Sequence, residues 1–126
     1  MKIRTFLFAL AAAAVAACGQ TPEEKVAAFD AEHDAMMEEF QTMMDSLSTD
    51  QAAAEAYYND FVEKYIEFNL ESAKKNADNE VAVKVLMNLR GLIDDAQVDE
   101  IISKMPEEML QNEQVAYLKN GLDARK

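Results

Sequence analysis

The 126-residue sequence contains one cysteine, one histidine, two prolines, three glycines and no tryptophan. With Cys18 the only thiol and His33 the only imidazole, the chain has neither an HExxH motif nor paired Glu-x-x-His motifs. A Gly-rich phosphate loop and a recognisable serine triad are also lacking, so an enzyme is not expected. Turn formers are scarce while Ala, Glu, Met, Lys and Leu abound, which disfavours a β-rich fold and favours helices. Basic residues are few, 12 against 24 acidic, for a formal charge of −12. That surface repels nucleic acid and anionic headgroups, so neither is an expected ligand. The one long apolar run, from Phe6 to Ala17, is shorter than the roughly 20 residues of an ordinary spanning helix.

What is present at the start is an export signal. Lys2 and Arg4 precede the apolar run, and the small residues Ala16 and Ala17 lead into Cys18. The stretch Val15-Ala16-Ala17-Cys18 resembles the lipobox of bacterial lipoproteins, in which the thiol is diacylated and the preceding bond is cut. The resemblance implies a removed signal peptide over 1–17, a lipidated tether over 18–21 and a single helical domain over 22–126. Two or three acyl chains anchor stably where one is marginal, because each buried methylene contributes roughly 0.8 kcal/mol. The alternative is a plain secretory signal that leaves Cys18 as a free thiol or in an intermolecular disulfide, a liability in an oxidising compartment. If Cys18 carries lipid, thiol nucleophiles, disulfide exchange and thiolate metal sites are excluded together, and the covalent lipid is the only cofactor expected. Losing Lys2 and Arg4 takes the formal charge from −12 to −14. Gly19, rather than aspartate, after the cysteine resembles the sorting pattern for the outer membrane of a Gram-negative cell. Gln20 with Glu23 and Glu24 loosely resembles the acidic export tags of surface lipoproteins, so a periplasmic and an external face are both open.

Apolar periodicity predicts an all-α fold, a small bundle of helical hairpins with about five helices near 22–47, 49–76, 79–90, 95–105 and 112–125. Thr21, Pro22 and Glu24 form a helix start with a capping box. Val26, Phe29, His33, Met36, Phe40, Met43 and Leu47 then recur in steps of three and four, a heptad seam widened by Met37 and Met44. Ser48 with Gln51 offers a second capping box. The second helix carries Tyr57, Tyr58, Phe61, Val62, Tyr65, Ile66, Phe68 and Leu70 over more than one face, which predicts the centre of the packing. Val81, Val85, Leu86 and Leu89 mark a third helix with Gly91 as its C-terminal cap. A fourth, opened by Asp94 or Asp95 with Gln97, buries Val98, Ile101, Ile102 and Met105 and is stopped by Pro106. The last starts near Asn112 and presents Val115, Leu118 and Leu122.

From about Tyr65 to Lys126 these elements resemble the helical spacer of thioredoxin-like lipoproteins of Gram-negative bacteria. The matching junctions are Lys75-Asn76-Ala77-Asp78-Asn79, Ile93-Asp94-Asp95-Ala96-Gln97 and Met105-Pro106-Glu107-Glu108. In that family a thioredoxin domain with a Cys-x-x-Cys motif follows the spacer, and neither occurs in this sequence. The family's redox activity therefore carries over to no residue of this chain. The resemblance implies an envelope lipoprotein built from, or truncated to, the spacer, or an accessory to a separately encoded thiol-disulfide oxidoreductase.

Two constellations suggest chemistry. His33, Met36 and Met37 stand at i, i+3 and i+4, and imidazole with soft sulfur suits Cu(I); Met43 and Met44 extend the same face. The competing reading is flexible core packing at heptad positions. A hard-cation version with Asp30, His33 and Asp34 is disfavoured because Asp34 points away from the other two. The pairs Glu23-Glu24, Glu38-Glu39, Asp94-Asp95 and Glu107-Glu108 diverge by about 100° on a helix and read as caps and solvated faces rather than acid/base pairs. The Met-rich seam of Phe29, Met36, Phe40, Met43 and Met44 instead predicts a surface for a protein partner or self-association, since methionine adapts to varied apolar surfaces.

Overall fold

A computed structural model describes residues 20–126; the lipidation candidate Cys18 lies outside them. Among the described residues there are six helices and no strand: α1 (Pro22–Ser46), α2 (Gln51–Lys75), α3 (Glu80–Asn88), α4 (Asp95–Ser103), α5 (Glu107–Leu110) and α6 (Glu113–Ala124). The all-α expectation holds, with one short helix beyond the five.

Local chemistry explains most boundaries. Thr21 Oγ1 accepts from the Glu24 amide at 3.2 Å, and Glu24 Oε1 accepts from the Thr21 amide at 2.9 Å, so the expected box opens α1. The same reciprocal pair joins Asp94 and Gln97 ahead of α4. The box expected from Ser48 and Gln51 does not form. Ser48 still belongs to the turn ending α1, its amide donating to the Asp45 carbonyl, and Asp50 caps α2 by accepting from Ala53. Asn79 caps α3 through the Val81 amide, and Asn112 caps α6 through the amides of Gln114 and Val115.

Two terminations differ from expectation. Helix α3 closes at Leu89, and Gly91 lies two residues farther on, where its φ of +82° supplies the left-handed turn that a side chain would strain. Helix α4 ends before Lys104, and Pro106 precedes the single turn of α5 rather than stopping α4 itself. Proline suits that place because its missing N–H would have had no helical partner.

The packing centre is α3, not α2. Val81, Ala82, Val83, Val85, Leu86 and the capping Leu89 are all buried, so this nine-residue helix is enclosed over most of its circumference, with only the strip carrying Glu80, Lys84 and Met87 turned outward. It packs against α1, α2 and α4, while α4 and α5 pack on α6. Ile101, Ile102, Met105, Val115 and Leu122 complete this core. Helix α2 buries only Asn69 and Ala73, both in its last two turns, because its aromatic face meets one helix, α1, over most of its length.

Candidate interaction arm

The two 25-residue helices outrun the core. Only the start of α1, with Val26 and Phe29, and the end of α2, from Tyr65 onward, join the core cluster. Beyond His33 and Tyr65 the two helices pack on each other as an arm extending about 20 Å at 1.5 Å per residue. Its seam is a ladder of rings. Phe29 stacks on Phe68 with centroids 5.4 Å apart and an interplanar angle of 9°. His33 follows, its Nε2 2.7 Å from the Tyr65 hydroxyl. Phe61 stacks on Tyr65 at 5.6 Å, and Phe40 approaches Phe61 to 4.2 Å with Tyr57 and Tyr58 each 6.1 Å away.

At the base of the arm a polar link joins α2 to α3. Asn69, fully buried, donates to the Tyr65 carbonyl at 2.9 Å and accepts from the Asn88 amide group at 3.1 Å. Beside it Asp30 of α1 pairs with Lys84 of α3 at 3.3 Å. Burial raises the Tyr65 phenol above its ordinary range. Tyr57 is raised as well, by burial first and then by the carboxylate of Glu39.

Two helices cannot enclose a seam this wide. At 100° per residue the apolar arc of α1 from Met43 and Met36, through Phe40 and His33, to Met44 and Met37 spans about 120°. Its flanks stay open: Met37 and Met43 are each 37% exposed, and Tyr58 of α2 is 47% exposed. Carboxylates border both edges, Glu32 and Glu39 beside Met36 and Met43, and Asp30 and Asp34 beside Met37. Over residues 30–65 there are ten acidic residues and one lysine, Lys64, which already pairs with Asp60 at 3.1 Å. Residues 66–126 have twelve acidic and eight basic residues, so the charge is concentrated on the arm.

The candidate residues separate accordingly. Met36, Phe40, Met43 and Met44 do line the arm, but Phe29, expected on the partner seam, is 6% exposed and belongs to the core. Its place at the mouth of α3, opposite Phe68, closes it to a partner. Met36 and Met37 fall on opposite flanks of His33, whose Nε2 is engaged by Tyr65, so metal coordination at that atom requires breaking the Tyr65 contact. Asp34 lies 3.9 Å from His33 Nδ1, nearer than the expectation of divergence allowed, but is 85% exposed. No cluster of three or more His, Cys, Asp or Glu suited to a metal occurs among the described residues. Sequence reasoning placed Tyr58 among the apolar residues of the second helix without foreseeing its exposure, and missed the pairing of Tyr65 with His33.

Elsewhere, hollows of about 70 Å³ beside Ala73 and Ile101 and about 190 Å³ beside Met87 and Tyr117 fall short of the roughly 300 Å³ at which small-molecule sites begin. No helix among the described residues is long and apolar enough to cross a membrane. No family model matches the chain, and neither does any curated protein or solved structure compared with it.

Proposed function

We propose that this chain is a non-enzymatic, lipid-anchored interaction module of a Gram-negative envelope, placed at the outer membrane by acylation of Cys18. The observation that carries the reading is the two-helix arm, whose apolar seam is left open on both flanks. Exposed apolar side chains rimmed by polar residues are the pattern of interaction sites, and here carboxylates border the exposed Met37 and Met43. The tether leads into Thr21 at the core end of α1, while the tip of the arm lies at the other end of that helix, about 37 Å away for 25 residues. The start of α1, four residues after Cys18 in the sequence, and the tip of the arm are opposite ends of one helix, which supports a reading in which the interaction surface is held off a bilayer. The acidic surface supports the same reading, because it keeps the protein from lying flat on anionic lipid.

Two measurements test it. Metabolic labelling with a palmitate analogue is expected to tag the protein and to fail with Cys18→Ala. A photo-crosslinking residue at Met43 is expected to give one reproducible adduct in intact cells, identified by mass spectrometry, that the same residue at Glu108 does not give. No adduct from Met43, or equal adducts from both positions, would overturn the arm as the interaction element.

A further inference from the structure

We infer that the arm receives a cationic amphipathic helix from a partner protein. This inference rests on the arm being the interaction element and specifies the chemistry of its partner. Either open flank of the two-helix arm is completed by a third helix that contributes an apolar stripe, giving a three-helix bundle. Methionines at the flanks, Met36 and Met43 on one side and Met37 and Met44 on the other, suit such a stripe because unbranched thioethers repack around different side chains. The carboxylates bordering the arc then meet the polar edges of the incoming helix. Of the ten acidic residues over 30–65, Asp30 and Asp60 pair with Lys84 and Lys64, and the excess that remains favours edges carrying Lys or Arg.

The same charge argues against a second copy of this chain. Helices packed 8–10 Å apart bring the bordering carboxylates of two arms to about one Debye length or less at physiological salt, so two arms in contact repel through charge that is only partly screened. An anionic lipid surface is opposed for the same reason.

The test uses the acylated protein in nanodiscs of zwitterionic phosphatidylcholine, with empty discs as the reference. The probe is a dye-labelled 18-residue Leu/Lys peptide with one apolar face, compared by anisotropy with a scrambled peptide of identical composition. The amphipathic peptide is expected to bind at least tenfold more tightly than the scrambled one, and less tightly as salt rises. Met37→Gln with Met43→Gln is expected to weaken it at least fivefold. Glu32→Gln with Glu39→Gln is expected to weaken it and flatten its salt dependence, while Glu107→Gln with Glu108→Gln leaves it unchanged. These positions are surface-exposed, and matching circular dichroism and melting curves verify that each variant is folded. Equal binding of the two peptides, wild-type affinity in both arm variants, or concentration-dependent dimerisation lost in the arm variants would each overturn the inference. If the Met43 crosslink survives when the peptide result fails, the arm remains the interaction element and only the chemistry assigned to its partner is wrong.

Discussion

The compact part and the arm are built from similar proportions of apolar residues and use them differently. In the compact part a short helix, α3, packs against three others, and Val81, Val85, Leu89 and Val115 reach zero exposure. In the arm, longer helices with larger side chains leave Phe40, Tyr57 and Phe61 only half-buried, because a pair of helices has two open sides. Burial depends on the number of neighbours more than on the apolar content of a segment. The fully buried side chains that hold the fold together all lie outside the arm, while the proposed recognition rests on the flanks of the arm, where Met37, Met43 and Tyr58 stay exposed.

The largest effect that would break this comparison is in the core. Leu89→Ala is expected to cost about 3 kcal/mol, within the usual 2–5 for a buried leucine, and to lower the global melting temperature in calorimetry. Phe40→Ala is expected to cost less, about 1–2 kcal/mol, because its ring is half-exposed and its loss is confined to the arm. Native-state hydrogen exchange is the sharper measurement: amides over 36–60 are expected to speed up while those of α3 keep their protection. Equal acceleration in both halves would mean that arm and core unfold as one unit.

Asn69→Ala is expected to cost about 1–2 kcal/mol by removing the acceptor of the Asn88 amide at the junction. Chemical denaturation of the single and double Ala variants checks it, since a pair that acts through this bond gives a double-variant cost below the sum. Thr21→Ala is expected to cost about 1 kcal/mol through loss of the α1 cap, seen as a small shift in the denaturation midpoint.

The smallest effect concerns Asp95, whose carboxyl is held below its ordinary value by the hydrogen bonds from Arg125, at 2.7 and 3.1 Å. A depressed folded-state pKa stabilises the fold at pH values above the unfolded carboxyl value near 3.8, and that contribution is lost as pH falls through the lower folded value. The melting difference between the native chain and Arg125→Met is therefore expected to be small at pH 6 and to vanish near pH 2, both groups being exposed. A difference that grows on acidification would assign the shift to another group.

Helix starts were the most legible feature, because a cap is a local transaction between residues three apart: Thr21 with Glu24, Asp94 with Gln97, and Asn112 with its following amides. Where the local signal was duplicated it misled. Ser48 and Asp50 both qualify as caps, and the choice fell to Asp50 only because Ser48 was consumed by the turn that ends α1. The seam of the arm was equally legible as a stripe, but its exposure was not: Phe29 and Phe40 lie on the same stripe, and one is buried in the core while the other is only half-buried against α2.

The sequence by itself determined the helical class, most of the helix starts and the concentration of negative charge over residues 30–65. Those follow from composition and from contacts within one turn of chain. Tertiary structure alone decided that α3 is the centre, that Phe29 is closed to a partner, that His33 meets Tyr65, and that the methionine flanks stay open. Each of these depends on how many helices surround a given stretch, and that number is set by residues far away in the chain.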